Sequence, residues 1–353
     1  MWRESRAGTS GGLRRVQLST AAVLVSSVVA GGTVGGVGAA ASLPSTRLKV
    51  EVSVPSVLVG NARHLWLANT GTSSVLELSS SNGSEVRNVS GKRYRLDDSD
   101  AIAASGAAVW VANASNDTIT EFRAADSHLI RVLSAPAYHL DVPVAIAIAD
   151  HHVFVLNQEG SRILVLSEST GKLVRVLAGE RYHFVHTAGM VAVRDDVWTA
   201  NGGGAGTLTE FSAASGRVLR VVTAKRARLD TPVAITSDGT HLWVANQAAS
   251  HVSELNAATG AFDRILRARR ASLDAVTSIA VADRTVWMAR AGMGTLVIGV
   301  NSTTGRTVRC SAHKFGFPAV FSDGRHVWVV DRTESRVSQV NPLDGKVIRV
   351  ISN

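Results

Sequence analysis

Short apolar runs come in groups of four along most of the chain, and the groups recur at a nearly fixed interval. In the group around Trp243 the runs read VAITSD, HLWVAN, HVSELN and FDRILR. Alternation, β-branched residues and intervening turn residues predict strands, and there is no helical period of useful length. One aromatic residue in the second run marks each group: Trp66, Trp110, Phe154, Trp198, Trp243, Trp287 and Trp328. The intervals are 44, 44, 44, 45, 44 and 41 residues. Four strands in a module of this length predict an all-β fold, a seven-bladed β-propeller with four antiparallel strands per blade.

Other positions keep the same step. An apolar residue lies eight places before each marker, and a turn follows it, with Gly in six repeats and Ser127 in the second. Four residues beyond that turn position stands an Arg in every repeat: Arg87, Arg131, Arg175, Arg220, Arg264, Arg309 and Arg349. The third run carries Glu77, Glu121, Glu210 and Glu254 in four repeats, so cross-strand or inter-blade Glu–Arg pairs are expected on the outer strands. The marker aromatics are expected to fill the wedge between blades. The second run ends in Asn69, Asn113, Asn157, Asn201 and Asn246, read as turn formers. Arg290 and Asp331 break that pattern in neighbouring blades.

The phrase LDTPVAITSDGTHLWVANQAASHVSELNAATG resembles the NHL and YVTN families of bacterial propeller repeats, which share Pro, inner strand, D-G turn, aromatic-V-A-N/D and a Gly-closed hairpin. The resemblance covers residues 52–353 and implies the fold, not an activity. Streptogramin lyases are seven-bladed propellers with similar repeats, but their His after the repeat Pro is replaced here by Ser56, Val144, Val233 and Ala319. Their Glu closing the second strand is replaced by the Asn residues above, Arg290 and Asp331. Lyase activity is therefore not expected from these positions.

The first 41 residues have another character. A basic leader with Arg3, Arg6, Arg14 and Arg15 precedes an uncharged apolar stretch and the small residues of GAAAS. That order predicts an export signal or N-terminal anchor over residues 1–41, a linker or edge segment over 42–51, and one propeller domain over 52–353. The chain is then expected to work outside the cytoplasm, secreted, periplasmic or on the cell surface, with any membrane tether confined to the leader. Only six of the 37 basic residues are Lys, and this Arg-, Ala- and Val-heavy usage suggests a bacterial gene. The net charge of +9 falls to +6 without the leader, which does not suit a nucleic-acid binder. The lone Cys310 excludes an intrachain disulfide and a Cys-based metal site.

No HExxH, GxSxG, phosphate-binding or EF-hand motif is present. The acids at 97–100 and 195–196 lack the spacing of a known calcium loop. No catalytic residue, metal or cofactor is therefore expected. Positive charge instead gathers on the links between blades four, five and six: Lys225, Arg226, Arg228, Arg267, Arg269 and Arg270, with Lys314 at the edge. Tyr94, Tyr138 and Tyr182 fall on equivalent links. The planar Arg fork suits carboxylate and phosphate. These residues, with Arg290 and Asp331, predict a rim that binds a protein or an anionic glycan or envelope polymer. The expected function is a monomeric, non-catalytic binding scaffold; the alternative is an exported lyase or hydrolase acting in the central funnel.

Overall fold

The computed structural model describes residues 24–25, 46–60, 63–134, 136–268, 273, 275–290, 295–310 and 315–353. They form seven antiparallel four-stranded sheets, each built from strands consecutive in sequence. Numbered along the chain, the blades span 55–89, 99–134, 143–177, 187–223, 232–266, 276–309 and 318–352. Blade 5 has inner strand Pro232–Ser237, second strand His241–Asn246, third strand His251–Asn256 and outer strand Phe262–Leu266. The inner strands of neighbouring blades touch around the ring, and blade 7 touches blade 1. The chain is therefore a seven-bladed β-propeller.

Two blades carry a further strand. Thr46–Lys49 runs parallel to the outer strand Val347–Ser352 of blade 7. Beyond it, Val50 N donates to Ser352 O at 3.0 Å and Val52 N donates to Asn353 Oδ1 at 2.7 Å. The segment before blade 1 thus lies along the edge of blade 7, and the two arms of the chain close the ring by backbone pairing. Leu24–Val25 pair in parallel with Gly189 and Met190 of blade 4's inner strand. The rest of the segment expected to direct export lies outside the described residues. Among the described residues no helix is long and apolar enough to cross a membrane.

All seven marker aromatics are buried. Each belongs to an apolar cluster shared with the following blade, as where Trp66 meets Phe122 edge-on at 5.5 Å and Phe154 meets Phe211 at 5.7 Å. A flat sheet leaves a widening gap toward the rim of a radial array, and a large ring fills it. The links between blades deepen this core. Tyr94 and Tyr182 are buried rather than displayed, and their hydroxyls donate to Ser127 O and Gly216 O, both at 2.8 Å.

The Arg ladder is a set of clasps between blades. From blades 1, 2, 3, 4 and 7, Arg87, Arg131, Arg175, Arg220 and Arg349 donate to carbonyls in the following blade: Ala124, Ser169, Ala214, Ala258 and Ser81. Arg264 reaches Ser302 O in the same way. The side chain of Arg309 lies outside the described residues. In four blades the Arg also pairs directly across the strand with a buried Glu: Arg87–Glu77 at 3.1 Å, Arg131–Glu121 at 2.6 Å, Arg220–Glu210 at 2.5 Å and Arg264–Glu254 at 2.9 Å.

A candidate ligand-binding cleft

The link from blade 4 to blade 5 begins with one helical turn, Ala224–Ala227, and ends it at Arg228 with φ 54°. Ala227 and Leu229 are buried on either side, while Arg228 is exposed. The left-handed backbone turns the residue between two anchors outward. Arg95, His139 and His183 hold the same conformation at φ 51°, 54° and 55° in other links. The strain at these non-glycine residues is thus part of the repeat, and only the side chain varies.

Arg228 opens onto a cleft of about 490 Å³ lined by Lys225, Arg228, Asp230, His251, Ile265 and Arg267, with Ala224, Leu229 and Ala249 completing the wall. Among the described residues, Lys225, Arg228 and Arg267 share the cleft with the carboxylate of Asp230. Lys225, Arg228 and Arg267 are exposed, while His251 is buried. The His251 ring nitrogens lie 3.0 Å from Ala249 O and 2.8 Å from Arg228 O, tying the turn after the second strand to the link. Asn246, fully buried, holds the lining residue Asp230 in place. Its Oδ1 accepts from Asp230 N at 3.0 Å, and its Nδ2 donates to Val244 O at 3.1 Å and Ser253 Oγ at 3.0 Å. The Asn residues closing the second strands therefore fasten the incoming link, as Asn69 and Asn157 do through Ser53 N and Asp141 N.

The structure thus brings together Lys225, Arg228 and Arg267 of the residues singled out in the sequence. Arg226 is exposed on the same helical turn but does not line the cleft. Arg269, Arg270 and Lys314 lie outside the described residues. Arg290 is half-buried at the end of blade 6's second strand. Asp331 is fully buried and committed to its own blade: it accepts from Gly316 N at 3.2 Å and Phe317 N at 3.3 Å, and pairs with Arg336 at 3.3 Å. It substitutes for the Asn of other blades, with Arg336 balancing its charge.

One inner-strand residue, weighed in the sequence only as part of an acidic run, is singled out by the fold. In blades 1 to 6 the inner strand carries a bulge just after its first residue. Its occupants are Ser56, Asp100, Val144, Ala188, Val233 and Thr277, so Asp100 is the one charged member. Burial pushes its carboxyl up to about 6, Asp98 adds to the rise, and Arg332 opposes it. Blade 2 has Ser99 in place of the repeat Pro, which hid the position from a comparison built on the residue after Pro.

No protein-family model and no curated protein sequence matches the chain. Solved structures do match it. Hydrazine synthase from Kuenenia stuttgartiensis aligns with TM-score 0.63 at 14% identity, covering 86% of this chain and 99% of that one. The computationally designed Ika8 protein aligns with TM-score 0.60 at 15% identity, covering 85% and 87%. U3-55K aligns with TM-score 0.61 at 13% identity, covering 80% and 89%. Identities this low show the propeller fold alone. The NHL and YVTN likeness is supported only at that level, and neighbours that include an enzyme and a designed protein select no function.

Proposed function

We propose that the chain is an exported or surface-tethered, non-catalytic binding propeller that recognises an anionic ligand in the cleft between blades 4 and 5. The observation that carries this reading is that Lys225, Arg228 and Arg267 line one open surface cleft. Asn246 and His251 fasten the link that lines it, and its wall offers Ile265 and Leu229 to an apolar portion of the ligand. Arg forks bind carboxylate and phosphate bidentately, and a preformed cleft lowers the ordering cost of doing so. The ligand class is an acidic envelope glycan or an acidic protein surface. The basic leader followed by an apolar stretch supports action outside the cytoplasm.

Arg228→Gly is the discriminating variant. Gly suits the left-handed backbone at 228, so the fold is retained while the charge is lost. Binding to a polyanionic glycan should fall by about tenfold or more, since a charge-assisted contact contributes about 1.5–3 kcal/mol. Arg267→Glu should reduce it further. Unchanged affinity in both variants would exclude the cleft as the site.

A second reading, an exported lyase or hydrolase working in the funnel, is favoured by Asp100, whose raised carboxyl titrates in the range useful to a general acid or base. Loss of a measured turnover in Asp100→Asn, with binding in the cleft intact, would favour it.

A further inference from the structure

We infer that blade 5 carries a binding site for a divalent transition-metal ion of the Zn²⁺ class, formed by His241, Glu254 and Asp263. One ligand atom from each of these side chains lies within 4.8 Å of the others. Small side-chain adjustments bring such a set onto one ion at the usual Zn–N and Zn–O lengths of about 2.0–2.2 Å. Imidazole nitrogen with two carboxylates suits a borderline cation better than Ca²⁺, and three protein ligands leave a position for water.

The repeat shows that this is an addition to the fold and not a requirement of it. The His position is also His in blades 1, 3 and 7, as His64, His152 and His326, and in blade 1 His64 Nδ1 meets Glu77 Oε1 at 2.6 Å. The third ligand distinguishes blade 5. Its outer strand is bulged between the pairs Glu254–Arg264 and Leu255–Phe262, and Asp263 is the extra residue. The equivalent bulges hold Val86, Ile130, Val174, Leu219 and Ile348. An apolar side chain therefore satisfies the fold at this point. A bulge re-aims the residue it displaces, and in blade 5 the residue re-aimed toward His241 and Glu254 is a carboxylate.

The surrounding charges fit a dication. Glu254 and Asp263 are joined by Asp238, whose carboxylate lies 3.5 Å from His241 Nδ1, while Arg264 pairs with Glu254. Arg264 grips both Glu254 oxygens, at 2.9 and 3.3 Å, which orients the buried carboxylate and leaves lone pairs unused.

The test is titration of Zn²⁺ into the full chain by calorimetry, alongside a thermal melt with and without the ion. The expected result is one saturable equivalent and a higher melting temperature. Asp263→Val, which restores the apolar residue of the other blades, should melt like the parent without metal. It should bind Zn²⁺ at least about 100-fold more weakly, because removal even of groups that only support a ligand costs 10–100-fold. His241→Ala should do the same, and His64→Ala in blade 1 should not. Absence of a saturable equivalent in the parent, or its retention in both blade 5 variants, would overturn the site.

Discussion

Arg349 of the last blade donates from Nη2 to the carbonyl of Ser81 in the first, at 2.8 Å. This clasp spans the junction where the ring closes, and it repeats what Arg131 or Arg175 does between consecutive blades. Burial also holds the Arg349 guanidinium below its ordinary value, so the charge is partly desolvated. Arg349→Ala should cost about 1.5–3 kcal/mol of stability, the range for a hydrogen bond to a charged group. Urea unfolding measures it, with exposed Arg217 as the control. Equal, negligible losses in the two variants would remove the clasp from the account of closure.

The wedge aromatics should matter more. Trp243 is buried and shares its cluster with Val286, Ile298 and Val300 of blade 6. Trp243→Ala removes the largest side chain of that interface and should cost roughly 3–5 kcal/mol. Trp243→Phe should avoid much of that loss, since blade 3 fills the same position with Phe154. A small effect of the Ala variant in urea unfolding would contradict the wedge role.

The blade count, strand order and marker role were legible because a period of forty-odd residues writes each buried position several times over. The clasp was less so. The constancy of the Arg was visible, as was its pairing with Glu, but the carbonyl it reaches belongs to the next blade, and inter-blade geometry leaves no mark on periodicity. The cleft was half legible for a related reason. Charge clustering pointed to Lys225, Arg226, Arg228, Arg267, Arg269 and Arg270, yet only the alternation of buried Ala227 and Leu229 around a left-handed Arg228 turns that side chain onto the cleft that Lys225 and Arg267 also line and Arg226 does not. The same alternation removes Tyr94 and Tyr182 from the rim and places them in the wedge.

A single repeat departs from Gly at the turn before the outer strand. Ser127 adopts φ 60° there, beside Gly values such as 67° at Gly171 and 70° at Gly216. A left-handed conformation costs an L-residue roughly 1–2 kcal/mol, and Gly returns part of that through its larger unfolded-state entropy. Ser127→Gly should therefore stabilise the protein by about 0.5–1 kcal/mol, read as a rise in the urea midpoint at constant slope. The acceptor that Tyr94 uses is the backbone carbonyl of 127, so the substitution preserves it. A destabilised variant would mean that the Ser127 side chain does more than occupy the turn.

Glu121 and Glu210 give the fold a pH dependence opposite to that of ordinary ion-paired carboxylates. Burial pushes Glu121 up to about 7 against the pull of Arg131, and Glu168 adds to the rise. Glu210 is likewise pushed up to about 7 against Arg220, with Asp196 adding to it. A folded-state value above the ordinary 4.5 means that the native state holds these protons more tightly than the unfolded chain. Their contribution is fully present below about 4.5 and is lost as pH rises through about 7. Asp100, raised from 3.8 to about 6, acts in the same sense over a lower window. The protein should therefore be harder to unfold at about pH 5.5 than at about pH 8. Glu210→Gln, which keeps an acceptor for Arg220 but cannot ionise, should flatten the slope between those values. It should be at least as stable as the parent at the alkaline end. Parallel pH profiles for the parent and the variant would show that Arg220 compensates the buried charge in full.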